Sequence, residues 1–166
     1  DFVQMFMSSE QPREVLSQEN PVHHITFRNN VFRKSRAYAI LITLKNDHFT
    51  FVNNTVAETY YGGLTVSGGS HHIIVLNNLF YKSGYTLASL DCLEGSVSDY
   101  NIFYDPNRTF TIPLPQFERH SIFGRDPNIL DTVRMDFRLR GTSCAVNSGT
   151  EWINYSIDKN GVLRGD

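Results

Sequence analysis

The sequence predicts an all-β chain, a parallel β-solenoid of about 4–5 coils of 24 residues followed by an irregular C-terminal tail. Three observations predict it. Asn29-Asn30, Asn53-Asn54 and Asn77-Asn78 recur at a spacing of 24, and the pattern returns in weaker form at Asp99-Tyr100-Asn101. Ahead of each pair runs an alternating segment, HITFRN, HFTFVN and HIIVLN, in which Ile25/Phe27, Phe49/Phe51 and Ile73/Val75 share one face at period two. No Pro interrupts residues 22–105, and no segment sustains a helical period.

One such unit cannot bury its apolar face alone, so units must stack. Stacked turns place equivalent residues about 4.8 Å apart, the spacing of strands in a sheet. Phe32 then lies on Val56, Phe80 and Phe103. A second strand follows in each unit, AILITL (39–44), GLTV (63–66) and LASL (87–90), aligning Ile40/Leu64/Ala88 and Ile42/Val66/Leu90. The paired Asn has a structural job here. Asn tolerates the left-handed backbone of a tight turn, and its amide can bond the amides above and below.

The elements follow in order. Residues 1–7, DFVQMFM, alternate and read as a strand of an earlier coil; 8–21 are a polar loop inserted in the coil region 1–105. Coils cover about 22–46, 47–70 and 71–95, with a partial coil at 96–105. Residues 106–166 form an irregular closing segment on the solenoid, in which FERHSIF (117–123) can carry a short helix or strand. The chain opens at Asp1 inside a strand, and an open solenoid end needs covering. Either an upstream segment or another chain is therefore expected to cap the N-terminal end.

Bulk properties narrow the function classes. A formal charge of −2 and a pI near 6.3 give no electrostatic footprint for nucleic acid. No apolar run approaches the roughly 20 residues of a membrane span. Cys92 and Cys144 fit no metal spacing and read as small apolar side chains, with pairing left open.

The phrase GGSHHIIVLNNLFYKSG (68–84) resembles the repeat of right-handed parallel β-helix proteins, the pectate-lyase-like superfamily. DFRLRGTSCAVNSGT (136–150) is similar to the "DFRL…SPA.DAG" closing segment of bacterial members, with Cys144 in place of Pro and Asn147 in place of Asp. IDKNGVLRGD (157–166) resembles the start of the segment that usually follows. The resemblance implies a C-terminal portion of a secreted or cell-surface protein acting on a polysaccharide, as a lyase or a glycoside hydrolase. The other class it admits is a non-catalytic adhesin or phage-spike module that binds glycans or assembles with other chains.

Members of this superfamily place the sugar on the outer face of one strand stack. Here the outward columns align as Ala39/Gly63/Leu87, Leu41/Thr65/Ser89, Thr43/Ser67/Asp91 and Lys45/Gly69/Leu93. Lys45 and Asp91 are the charged members and the catalytic candidates, with Thr43 and Ser67 beside them. Ca²⁺ enters if the chemistry is that of a lyase, although Asp91 with Glu94 makes a thin site. Tyr38, Tyr60, Tyr61 and Tyr85 lie in the turn before this strand, with Tyr61 and Tyr85 aligned by period, and offer aromatic faces to a sugar ring. His24, His48 and His72 also repeat at 24, next to His23, Asp47 and His71. Imidazoles in register about 4.8 Å apart do not converge on one ion, so no metal is expected there. Of the sequons at Asn53, Asn107 and Asn154, Asn107 is the plausible glycan acceptor.

Overall fold

The computed structural model of the chain describes residues 3–5, 23–42, 46–66, 69–87, 94–110 and 116–151. Sheet 1 holds β1 (Val3–Met5), β4 (Tyr38–Ile42), β7 (Gly62–Val66) and β10 (Tyr85–Leu87). Sheet 2 holds β2 (His23–Arg28), β5 (Asp47–Val52), β8 (His71–Leu76) and β11 (Val97–Asp99). Sheet 3 holds β3 (Val31–Arg33), β6 (Thr55–Ala57), β9 (Leu79–Tyr81), β12 (Ile102–Tyr104) and β13 (Ile122–Phe123). All pairings within these sheets are parallel. The chain visits sheets 2, 3 and 1 in turn. Three complete turns therefore stack, β2–β4, β5–β7 and β8–β10, with β1 before them and β11–β13 after. Beyond lies an antiparallel pair, β14 (Ile129–Asp131) and β15 (Asp136–Leu139).

The register is the one the 24-residue spacing demands through most of the stack. Phe49 pairs with Ile25 and Ile73, and Phe51 with Phe27 and Val75. Ile40 pairs with Leu64 and Ile42 with Val66. Phe32, Val56, Phe80, Phe103 and Phe123 form one column through sheet 3. The Phe80–Phe103 and Phe103–Phe123 rings stack at 5.1 and 5.0 Å. The inward-facing residues of the middle turn, Phe49, Phe51, Val56, Leu64 and Val66, are all buried, so alternation on each sheet feeds a single core. Phe110 and Phe117 pack against this core near its β13 end.

The two Asn of each pair divide the work. The first takes the left-handed backbone, with φ of 55°, 56° and 57° at Asn29, Asn53 and Asn77. Tyr100 takes the same position with φ 55°. The second is the ladder residue, exposed at Asn30 in the first turn and buried at Asn54 and Asn78. Asn54 Oδ1 accepts from the backbone N–H and the Nδ2 of Asn30, at 3.0 and 3.2 Å. Asn78 Oδ1 does the same for Asn54, at 2.9 and 3.2 Å, and Asn101 Oδ1 for Asn78, at 2.9 and 3.0 Å. The remaining Nδ2 protons go to backbone carbonyls, Asn54 to Phe27 and Asn78 to Phe51. The half-buried Asn77 donates to the Thr150 carbonyl at 2.8 Å and accepts from its N–H at 2.9 Å, docking the tail on the coil.

Two features differ from the sequence reading. The column Ala39/Gly63 is buried rather than outward, because consecutive residues Ala39-Ile40 and Gly63-Leu64 both turn inward at the start of their strands. A Cβ at Gly63 would lie 2.7 Å from a Val56 methyl and 2.9 Å from the Gly84 carbonyl, so this inward site takes only Gly. In β10 the register moves by three residues: Tyr85 pairs with Leu64, and Leu87 with Val66. The alignments of Ala88 on Leu64 and of Tyr85 on Tyr61 are lost with it. FERHSIF ends in a strand, one of the two elements expected of it, and carries sheet 3 one strand past residue 105.

The ladder ends on a carboxyl group. Asn101 N–H donates to Ser121 Oγ at 2.8 Å, and Asn101 Nδ2 to Glu118 at 3.1 Å. Ser98 and Ser121 hydroxyls also donate to the Glu118 carboxyl. Glu118 is only 3% exposed, and burial pushes its carboxyl above the ordinary value of 4.5 against the pull of these bonds from Ser121, Ser98 and Asn101.

Two outcomes are expected. Asn78→Ala strands the Asn54 N–H and the Phe51 carbonyl, lowering the unfolding free energy by about 1–3 kcal/mol. A urea transition reads this as an earlier midpoint at unchanged slope, and an unmoved midpoint would show that the ladder carries no stability. For Glu118 the folded value lies above the unfolded one, so its contribution is complete below pH 4.5 and is lost as pH rises through the folded value. Glu118→Gln removes that loss. Melting temperatures of variant and parent measured from about pH 4 to pH 8 should diverge in the variant's favour as pH rises; parallel curves would contradict the assignment.

Candidate functional site

The turn of each coil from sheet 3 to sheet 1 is bent by a left-handed residue, Lys34, Glu58 and Lys82, with φ of 56°, 56° and 49°. Behind it sits a buried hydroxyl, Ser35, Thr59 and Ser83. The Ser35 hydroxyl bonds the Tyr38 carbonyl at 2.7 Å, and Ser83 Oγ accepts from the Thr59 N–H at 3.3 Å. Buried small groups thus hold the corner, and the large side chains are turned outward.

Three of the expected tyrosines meet here. Tyr60 and Tyr61 are 70% and 65% exposed. Tyr61 lies 6.1 Å from Tyr38 with ring planes 29° apart, and Tyr60 stands edge-on to Tyr61 at 5.0 Å. The result is one flat aromatic face with a second ring upright beside it. Tyr85 does not join by the expected stacking, since its strand is shifted. Thr43, Lys45, Ser67, Asp91 and Cys92 lie outside the described residues.

The corner holds charge that the strand-face reading missed. An open hollow of about 440 Å³ is lined by Lys34, Ser35, Arg36, Glu58 and Tyr60. Glu58 is committed to Arg33, whose Nε lies 2.8 Å away. Lys34 and Arg36 are exposed. Arg108, from the turn after β12, is ion-paired to Asp105 at 3.3 Å and reaches back to donate to the Tyr60 carbonyl at 3.4 Å. With Arg33 paired to Glu58 and Arg108 to Asp105, Lys34 and Arg36 give the face around the tyrosines a cationic excess, although the whole chain is slightly acidic. The signal in the sequence is Lys34/Glu58/Lys82 at a spacing of 24, five residues ahead of the Ala39/Gly63/Leu87 column.

A second outward cluster occupies the turn from sheet 1 to sheet 2. His24, His48 and His72 take the left-handed backbone there, with φ of 57°, 51° and 52°. Their rings form a column, each 4.5 Å from the next. Asp47 accepts from Nδ1 of His48 at 2.7 Å and of His71 and His72 at 2.8 Å each. Partial burial works to raise the Asp47 carboxyl, but the bonds from His72, His48 and His71 outweigh it and hold the group well below the usual carboxylate range. Gly95 follows the column in the next turn, where a Cβ would strike the His72 ring at 2.2 Å. Among the described residues no helix is long and apolar enough to cross a membrane.

A family model described as the right handed beta helix region matches residues 14–107, more than half of the chain. No curated protein and no solved structure matches.

Proposed function

Because the chain belongs to the right handed beta helix family, we propose that it is part of an extracellular, carbohydrate-active protein that binds polysaccharide at the Tyr38/Tyr60/Tyr61 corner. The observation that carries this reading is the exposure of Tyr60 and Tyr61 on a corner whose buried groups are small and locked. Aromatic faces suit the CH face of a pyranose, and exposed rings of this size otherwise leave apolar surface in water. Lys34, Arg36 and Arg108 add donors for hydroxyl or carboxylate groups along the polymer. A solenoid suits such a ligand, since its corners form a straight edge along which successive sugars can lie. In the same reading, upstream residues or another chain cover the β2 and β3 edges, where Val31 is 36% exposed.

A lyase or hydrolase version of this proposal uses Lys45 and Asp91 as its catalytic groups, with Ca²⁺ if the chemistry is elimination. The closing segment, which resembles that of bacterial members of the superfamily and is docked on Asn77, favours it for the parent protein over a bare rod. A non-catalytic glycan-binding or assembly module is the other form.

The Tyr60→Ala/Tyr61→Ala double variant should keep the parent melting temperature and lose about tenfold in affinity for polysaccharide, about 1.4 kcal/mol. Affinity electrophoresis in polysaccharide-containing gels reads the change, and equal retardation of both proteins would sink the site. Asp91→Ala should abolish polysaccharide turnover in the catalytic version. Unchanged turnover would remove Asp91 and leave the binding face.

A further inference from the structure

The His corner is independent of the glycan reading. Strand alternation sends neighbouring side chains to opposite faces, and a left-handed residue breaks the alternation. Each turn uses this to put two polar side chains side by side: His23-His24, Asp47-His48 and His71-His72. Stacking then gathers five imidazoles and one carboxylate at a single edge.

Register alone would leave the imidazoles parallel and divergent. Asp47 changes this. Sitting in the middle turn, it draws Nδ1 of His48, from its own turn, and Nδ1 of His71 and His72, from the next, to within 2.8 Å of its two carboxylate oxygens. Asp47, His48 and His72 each offer a ligand atom, and these lie within 4.8 Å of one another. A four-coordinate ion with bonds of about 2.0–2.2 Å needs donors about 3.3 Å apart. The rings of His48 and His72 are 46% and 41% exposed, so they have room to swing by that margin. The donor set is mostly imidazole nitrogen. That suits zinc, copper(II) and nickel, and not calcium or magnesium, which prefer oxygen.

We propose that this corner binds a divalent transition-metal ion of the zinc class, through ring nitrogens of His48 and His72 and the Asp47 carboxylate, the ion replacing the protons these groups share, with His71 beside them as a hydrogen-bond partner of Asp47. It clips two consecutive turns of the solenoid together at the edge opposite in role to the buried Asn ladder. Sequence spacing gave the imidazole column but not the common target, because Asp47 interrupts the His-His phrase and reads as an exception to it.

Zinc alone, titrated calorimetrically into the whole chain, should bind one ion per chain. His48→Ala/His72→Ala should abolish binding, and Asp47→Asn should weaken it about 10–100-fold. His120→Ala, which removes an exposed imidazole paired to Asp99 at 2.7 Å elsewhere, should leave it unchanged. Stoichiometric binding that survives the double variant, or a parent that binds no better than the double variant, overturns the proposal. X-ray absorption on the zinc-loaded parent decides the matter without any variant. Outer-shell scattering from several imidazoles supports the site, and a shell of water oxygens alone overturns it.

Discussion

The buried Asn ladder is the constraint on which the rest of this structure depends. Each Oδ1 accepts two N–H groups from the turn before, one backbone and one side-chain, while its own Nδ2 reaches a backbone carbonyl. These groups lie in the core, where an unpaired polar atom costs about 1–3 kcal/mol. A turn that slipped by one residue would break several such bonds at once and send its apolar face outward. The ladder therefore fixes which residue stands on which in the flanking sheets 2 and 3, while β10 of sheet 1, farther along the coil, sits three residues out of that register.

The columns have consequences at all three corners of the coil. Each corner is bent by a non-glycine residue with positive φ, at a local cost of about 1–2 kcal/mol each. At the Asn corner that residue has its ladder neighbour buried beside it. At the tyrosine corner the same task falls to Lys34 and Glu58, with Ser35 and Thr59 behind them. At the remaining corner it falls to His24, His48 and His72. The two latter corners are locked from within by small buried groups or by stacking, which leaves their large side chains outside. A chain with a modest net charge of −2 can then present a cationic aromatic edge and a histidine edge on one rod.

Much of this was legible from spacing. Asn30, Asn54, Asn78 and Asn101 announced the turn, and the pairings of Ile25, Phe49 and Ile73 or of Phe32, Val56 and Phe80 followed from counting. What counting could not give has physical reasons. The three-residue shift at Tyr85 arises in a turn, where chain length is not fixed by hydrogen-bond geometry. The inward position of Ala39 and Gly63 depends on a local break in alternation that their small side chains conceal. The cationic face draws Arg108 from a segment beyond the repeat, so no period could reveal it. Asp47 is the reverse case: in the sequence it interrupts His23 and His71, and in space it gathers His48, His71 and His72.

The most direct test of this account is residue-resolved amide hydrogen exchange on the intact chain. The backbone N–H groups of Asn54 and Asn78 are held by the Oδ1 of the next turn. They should exchange only through global unfolding, with the same free energy as the core amides of Phe51 and Val75, whose side chains are fully buried. If Asn54 and Asn78 instead exchange at the rate of an exposed turn while Phe51 and Val75 stay protected, the ladder is not what holds the coils in register.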